Sequence, residues 1–257
     1  MHAHGAAAPR LTAVKKRLDA RLVELGLAES RARAQAYIRA GLVHTTDKRL
    51  DKPGLAVDDA LPLFVKAPDH AYVSRGGVKL AGALNAFAID PRGWTCLDVG
   101  ASTGGFTDCL LQRGAERVCA MDVGRGQLHA RVAADSRVTS VEKLHVDDLQ
   151  PATFGVAFDL AVADLSFISA RRALAPLLRV LKPGGQLLLL VKPQFEAGRA
   201  EASRGSGVIR DEAVQLAAVD AVERAAREAG YEALGRAPSP IEGGDGNREF
   251  FLHLRRP

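Results

Sequence analysis

The sequence predicts an α/β protein, a mostly parallel sheet with helices on both faces, preceded by a small N-terminal α+β domain. Three observations carry this expectation. From Trp94 onward, short apolar runs alternate with helical patterns, the order that builds a parallel sheet from strand–helix–strand units. Before residue 67 the pattern differs: two short helices are followed by short strand-like pieces. Finally, 257 residues are enough for one medium and one small domain, and 47% apolar with 25% charged residues is an ordinary globular composition that excludes collagen, coiled coil and long disorder.

Residues 1–12, rich in small residues and carrying Pro9, read as a disordered tail. A helix is expected from Lys15, with Leu18, Leu22 and Leu25 on one face and Gly26 as its stop. Ser30 is a good N-cap for a second helix over Arg31–Ala40, striped by Ala34, Tyr37 and Ile38 and stopped by Gly41. Strand-like pieces follow at Leu42–Thr45, Arg49–Leu50 and Leu61–Val65, separated by turn residues around Asp47, Lys52-Pro53-Gly54 and Asp58-Asp59. Residues 13–66 thus form the first domain, and the polar, Pro-containing stretch 67–73 is the linker.

The second domain, 74–257, opens on Ser74-Arg75-Gly76-Gly77 and a helix over Val78–Phe87. Its strands are predicted at Thr95–Val99, Arg117–Met121, Arg137–Val141, Asp159–Ala163 and Gln186–Val191, with two more at Tyr231–Arg236 and Arg248–Leu254. The intervening helices are predicted at Gly105–Arg113, Gly126–Ala134, Ser169–Leu181 and Asp211–Gly230. Ligands on such a sheet sit at the carboxyl ends of the strands.

Charge is unevenly placed. Residues 1–80 carry 14 Lys/Arg against 8 Asp/Glu, a net of +6, whereas residues 81–257 carry 21 against 22. A small basic segment joined to a neutral body points to nucleic acid as a partner. Three cysteines, Cys96, Cys109 and Cys119, form no C-x-x-C pair and read as small buried hydrophobes in a reducing compartment. The longest strongly apolar run is Leu187–Val191, far short of the ~20 residues a membrane span needs, and Met1–Arg10 lacks a signal-peptide core. A cytoplasmic protein with no membrane partner is expected. The seven histidines are scattered and no cluster has metal-ligand spacing, so no metal is expected.

The most informative stretch is Leu97–Phe106, which follows one predicted strand and opens a helix. Glycines there let the backbone approach a ligand, and the helix N-terminus offers free N–H groups. The pattern Asp98-x-Gly100-x-x-x-Gly104-Gly105 is neither a dinucleotide fingerprint nor a P-loop. It resembles motif I of Rossmann-like methyltransferases that use S-adenosylmethionine. That resemblance implies that Asp98, Gly100, Ser102, Thr103, Gly104, Gly105 and Phe106 hold the amino-acid end of the cofactor, with Asp98 facing its ammonium. Asp122 ends the second strand, roughly 20 residues on, where a carboxylate can accept both ribose hydroxyls. Asp147 and Asp148 follow the third strand, and one of the two could accept from the adenine amino group.

Asp164 follows the fourth strand and Lys192 ends the fifth, so both point into the crevice above the sheet. A lysine at the end of an apolar strand is costly unless paired, and so placed it can hold or deprotonate a substrate hydroxyl. Six stretches then resemble one family: Ser-Arg-Gly-Gly-Val-Lys-Leu at 74–80, Gly-Ala-Ser-Thr-Gly-Gly-Phe-Thr at 100–107, Asp-Val-Gly-x-Gly-Gln-Leu at 122–128, Ala-Asp-Leu-Ser-Phe-Ile-Ser at 163–169, Val-Lys-Pro-Gln-Phe-Glu at 191–196 and Gly-Asn-x-Glu-Phe-Phe at 246–251. The family is TlyA, or hemolysin-A-like: ribosomal RNA 2′-O-methyltransferases with an FtsJ-like catalytic domain. The resemblance runs from Lys16 over nearly the whole chain.

It implies a Rossmann-like methyltransferase fold with a seven-stranded, mostly parallel sheet, and methyl transfer from S-adenosylmethionine to a cytidine 2′-hydroxyl of ribosomal RNA within a subunit or its precursor. The family's Lys-Asp-Lys-Glu tetrad maps onto Lys79, Asp164, Lys192 and Glu249, of which Lys79, by position alone, would be a surface lysine. The N-terminal part is similar to the RNA-binding domain named after ribosomal protein S4, through Arg17-Leu18-Asp19, Gly41-x-Val43 and Lys52-Pro53-Gly54; Thr45-Thr46-Asp47 replaces the more usual Val-Asn-Gly turn. Arg17, Arg21, Arg31, Arg33 and Arg39, on two adjacent helices, are the candidate phosphate contacts. The rival readings are a cytolysin, which would need an insertion segment that is not evident here, a non-catalytic RNA-binding or ribosome-assembly factor, and a nicotinamide oxidoreductase, which the loop pattern disfavours.

Overall fold

A computed structural model describes residues 15–66, 70–197, 208–243 and 246–257; the expected tail at 1–12 lies outside them. The chain divides into two compact units, 1–67 and 68–257.

In the first unit, helices α1 (Leu18–Glu24) and α2 (Arg31–Arg39) bury Leu18, Leu22, Ala34 and Ile38 against Val43, Leu50, Val57 and Leu63. Ser30 caps α2 as expected, its Oγ accepting from the Arg33 N–H at 3.2 Å. The start of the first helix needs correction. Lys15–Arg17 is a strand, β1, paired antiparallel with β3 (Ala56–Asp58), a strand absent from the sequence reading. Tertiary pairing overrides the helical propensity of Lys-Lys-Arg: Lys16 reaches Glu24 and Asp59 across the sheet, and Leu18 N–H donates to the Leu55 carbonyl. A second two-stranded sheet joins β2 (Val43–His44) to β4 (Phe64–Val65), and Arg49 makes an isolated bridge to His44.

The second unit runs α3 (Gly76–Ala86), β5 (Thr95–Val99), α4 (Gly105–Gln112), β6 (Arg117–Asp122), α5 (Ala130–Ala133), β7 (Val138–Glu142), β8 (Phe158–Ala163), α6 (Arg171–Val180), β9 (Leu181–Val191), α7 (Pro193–Glu196), α8 (Glu212–Glu228), β10 (Glu232–Pro238) and β11 (Phe250–Arg255). Seven strands form one sheet in the order β10-β11-β9-β8-β5-β6-β7. β9, β8, β5, β6 and β7 are parallel; β11 runs antiparallel to both neighbours. Chain order reverses between β5 and β8, which makes that junction the switch point where such folds bind ligands.

The central strands are apolar on both faces, as a covered parallel sheet requires. Leu97, Val99, Ala161, Leu187 and Leu189 pack against Leu174 and Leu177 of α6 and Val219 and Val222 of α8. Cys96, Leu160, Val162, Leu188 and Leu190 pack against Leu80 and Leu84 of α3 and Phe106 and Leu110 of α4. All three cysteines are free and buried; burial pushes the Cys109 thiol up to about 12. Tyr72 and Val73, placed in the linker by sequence, lie on this unit: Tyr72 covers the first turn of α3, where a Cβ on Gly77 would come within 2.2 Å of its ring, and Val73 N–H donates to Asp108 Oδ2 at 2.8 Å.

Two boundaries differ from expectation. The helix expected over 126–134 shrinks to α5, because Asp122 Oδ1 takes the Gly124 N–H at 2.7 Å and Gly126 adopts φ +62°, which keeps 123–128 as loop. β9 begins at Leu181, five residues earlier than the apolar run, with a register irregularity against β8. Among the described residues, no helix is long and apolar enough to cross a membrane, and no group of three or more His, Cys, Asp or Glu gathers as a metal site.

Candidate active site

Strand register assembles the site. Val99 lies opposite Ala163, Ala163 opposite Leu189, and Val191 opposite Phe250. The next residues along these strands, Gly100, Asp164, Lys192 and, just before β11, Glu249, therefore arrive at one edge of the sheet. Lys79 joins them from the first turns of α3.

The four charged side chains form two ion pairs. Lys192 Nζ lies 2.5 Å from Asp164 Oδ1, and Lys79 Nζ lies 2.5 Å from Glu249 Oε2. Lys79 and Lys192 are each only 8% exposed and Glu249 4%, burial that a lysine tolerates when paired. Lys192 also donates to Ser166 Oγ at 2.9 Å. Burial alone would raise the Asp164 carboxyl, but the ammonium of Lys192, then that of Lys79, holds it below its ordinary 3.8. Lys79 thus acts on both carboxylates, which ties the two pairs into one charge-balanced cluster. Gly243 backs Glu249 so closely that a Cβ there would sit 2.5 Å from Oε1.

The glycine loop lies beside this cluster. Gly100 has φ +83°, and a Cβ on it would meet the Asp164 carbonyl oxygen at 2.4 Å. Asp122 organises the loop: Oδ2 accepts from Ser102 N–H at 2.8 Å while Oδ1 holds Gly124. Ser102 itself is strained at φ +47° and donates through Oγ to Gln127 Oε1 at 3.3 Å. A cleft of about 220 Å³, counted to its open mouth, is lined by residues including Ala101, Ser102, Met121, Asp122, Gln127 and Glu142. Sequence reasoning missed Gln127, whose only signal was its place in the 122–128 motif.

Asp98 is fully buried beneath the loop, accepting from Thr107 Oγ1 at 2.6 Å, with Oδ1 unmatched by any hydrogen-bond partner. Burial pushes its carboxyl up to about 7. A buried acceptor with a spare oxygen, strained glycine turns and a carboxylate at the end of β6 form a donor set that fits a ligand with an ammonium and a ribose. Asp98 also makes stability pH-dependent. The unfolded chain ionises this carboxyl near 3.8 while the folded chain keeps it protonated to about 7, so stability of the cofactor-free protein should fall as pH rises across that window and level off above it. Denaturation midpoints of wild type and Asp98→Asn measured from pH 4 to 8 should show this slope in the difference between the two proteins.

The remaining loop residues divide. Gly104 adopts φ +90° and caps α4, and Thr103 is buried, its carbonyl accepting from His129 N–H. Gly105 serves helix packing, since a Cβ would lie 2.2 Å from Ser74 Oγ, and the Phe106 side chain belongs to the core beside Phe251, ring centroids 6.1 Å apart. Asp147 and Asp148 are exposed in a 3-10 turn, and Asp147 pairs with Arg172 of α6. Beyond Asp164, Phe167 stands 89% exposed at φ +68°, its ring centroid 5.6 Å from Phe195. Glu196 fixes this loop, Oε1 accepting from Ala170 N–H at 2.6 Å and Oε2 from Ser169 Oγ at 2.7 Å.

In the first unit, the buried Asp19 carboxylate is the organiser. Arg17 grips it with two bonds of 3.1 and 3.0 Å, Arg31 reaches it at 3.2 Å and Gln35 at 2.8 Å. The Arg17 hydrogen bonds hold its carboxyl well below the ordinary range, and both arginines keep more than half of their side chains exposed. Arg33 stacks on Tyr37, and Arg39 extends along α2 to Gln35. Arg21 is different: it is 17% exposed and pairs with Glu24, Asp59 and the Asp59 carbonyl.

Comparison with known proteins agrees with this anatomy. Residues 72–256 match the FtsJ-like methyltransferase family and residues 16–59 the S4 domain. The 16S/23S rRNA (cytidine-2′-O)-methyltransferase TlyA of Mycobacterium tuberculosis is 46% identical over 242 residues, 94% of this chain and 90% of that protein. Hemolysin A of Brachyspira hyodysenteriae is 37% identical over 239 residues, 93% and 99% of the two chains. A solved structure from Streptococcus thermophilus, 41% identical, superposes with a TM-score of 0.74 and covers 94% of this chain and 88% of that one.

Proposed function

The chain belongs to the FtsJ-like methyltransferase family, and from that premise we propose that it transfers a methyl group from S-adenosylmethionine to the 2′-hydroxyl of a cytidine ribose in ribosomal RNA, in the cytoplasm, on a ribosomal subunit or its precursor. The observation that carries the reading is the cluster of Lys79, Asp164, Lys192 and Glu249 at the strand ends, beside the glycine loop. An intact cluster of this kind speaks against a non-catalytic assembly factor.

S-adenosylmethionine, when bound, supplies a methyl group on a positively charged sulfur. Asp98, the 100–104 backbone and Asp122 would hold it, with one of Asp147 and Asp148 toward the adenine. The chain's task is then to present a weak nucleophile in line. Lys192 would orient the 2′-hydroxyl and take or stabilise its proton at Nζ. Asp164 fixes Lys192, and the Lys79–Glu249 pair keeps the pocket charge-neutral. Positioning supplies much of the acceleration. Arg17 and Arg31, held by Asp19, together with Arg33 and Arg39, would take RNA phosphates.

A ribose can be presented this way only if its base leaves the stack, and the exposed Phe167 ring offers that base an apolar face. Phe167→Ala is expected to lower kcat/KM for RNA by about tenfold, as the loss of one base–aromatic stack of about 1–3 kcal/mol requires, with KM for S-adenosylmethionine unchanged; an unaltered kcat/KM would remove Phe167 from the site. The proposed function itself is tested by incubating both ribosomal subunits with enzyme and S-adenosylmethionine and mapping 2′-O-methylation. A new mark on cytidine is expected, and its absence from both subunits would overturn the reading.

A further inference from the structure

We infer that Ser166 is a positioning residue that fixes the direction in which Lys192 meets the substrate oxygen. The inference rests on the methyl-transfer reading above, in which Lys192 holds the 2′-hydroxyl.

Lys192 Nζ has two neighbours of different kinds, an ion-paired carboxylate and a hydroxyl that accepts one of its hydrogens. An ammonium has three N–H donors and no acceptor. Lys192 gives one to Ser166 Oγ at 2.9 Å, and its ammonium is ion-paired with Asp164, Oδ1 at 2.5 Å. With Ser166 taking one position and the carboxylate drawing the charge to its own side, the remaining face of Nζ is the one left for the substrate oxygen. It points to the same place whether it carries a proton, as in the ammonium, or a lone pair, as in the neutral amine. The ion pair with Asp164 alone would not set the rotation of Nζ about its bond to Cε, because it is not a directional hydrogen bond. The hydrogen bond to Ser166 sets it.

The chemistry of the second partner matters. A second carboxylate would add negative charge and hold the lysine protonated. A hydroxyl accepts the N–H without doing so, and it therefore orients Lys192 at little cost to its ability to take a proton.

Ser166 is itself held in place. At one end of its loop, Asp164 N–H donates to the Val99 carbonyl at 3.0 Å, with the Asp164 carbonyl pressed against Gly100. At the other end the buried Glu196 carboxylate takes Ser169 Oγ and Ala170 N–H. The left-handed turn at Phe167 joins the two. Thus the Lys192–Glu196 segment grips the 166–170 loop twice, once through Lys192 and once through Glu196. Ser166 lies on the exposed side of this loop and fills no core position, so its removal leaves packing intact.

The test is steady-state transfer of tritiated methyl from S-adenosylmethionine to isolated ribosomal subunits by wild type, Ser166→Ala, Ser166→Thr and Lys192→Ala, with thermal midpoints for each. Ser166→Ala is expected to lower kcat about tenfold, the effect of one hydrogen bond to a charged group, with both KM values and the midpoint little changed. Ser166→Thr, which keeps the hydroxyl, should recover most of the rate. A full rate in Ser166→Ala, a loss confined to KM, or a Ser166→Thr as slow as the alanine variant would overturn the inference while the functional reading stands. Absence of transfer by the wild type, or a full rate in Lys192→Ala, would instead overturn the reading on which it rests.

Discussion

Replacing Lys192 with alanine should lower methyl transfer by at least about 100-fold, the range over which a positioned proton-transfer group acts, while S-adenosylmethionine still binds with nearly wild-type affinity. The separation follows from where the residue sits. Lys192 ends β9, on the far side of Asp164 from the cleft walled by Ser102, Asp122 and Gln127, and it contributes nothing to that cleft's lining. Its loss leaves Asp164 beside one ammonium instead of two. Burial, which the two lysines now outweigh only together, then acts on the carboxyl with less opposition, so its pKa rises and protonation relieves part of the cost of an unpaired charge. The protein should therefore fold, somewhat less stably. Calorimetric titration with S-adenosylmethionine and a tritium-transfer assay separate the two effects. A variant that transfers methyl at the wild-type rate would remove Lys192 from the chemistry, and one that fails to bind the cofactor would place it in the wrong half of the site.

Gly100→Ala should damage the protein at a different point, losing cofactor affinity by more than about tenfold and several degrees of thermal midpoint. Two penalties add here. A non-glycine residue at φ +83° costs about 1–2 kcal/mol. The new Cβ would also lie 2.4 Å from the Asp164 carbonyl oxygen, and that carbonyl belongs to backbone that cannot swing aside without moving the carboxylate that holds Lys192. For a unit of this size each 1 kcal/mol lowers the midpoint by about 2–4 °C. Gly155→Ala is the matched control: its φ is +66°, but nothing lies within 4 Å of the added atom, so only the conformational penalty remains. Equal effects at both positions would show that the close approach of Gly100 to β8 is of no consequence.

Much of the second unit is legible in the sequence because its signals are local. The β5 strand falls at Thr95–Val99 as its apolar run requires, and Asp164 and Lys192 stand out because each directly follows an apolar run, Leu160–Ala163 and Leu187–Val191. Lys79 and Glu249 are different. They lie 170 residues apart, one on a helix and one before an antiparallel strand, and only register across the whole sheet brings them to 2.5 Å. No window of sequence contains that information, which is why they were reached by resemblance alone. Short elements fail for another reason. Lys15–Arg17 is three residues long, too short to show a period, and its strand character comes from its partner. The loop around Phe167 and the role of Ser166 depend on side chains from a segment 26 residues further on. The commitment of Arg21 to Asp59 spans 38 residues, so a helix-surface pattern could not distinguish it from Arg17.

The sheet order carries a consequence for biosynthesis. β11, the last strand to emerge, is inserted between β9 and β10 and brings Glu249 with it. Until β11 is in place the sheet has a gap in its interior and Lys79 lacks the carboxylate it pairs with. The charge cluster is therefore a late product of folding: competence for the proposed chemistry begins only when β11 is threaded between its two neighbours.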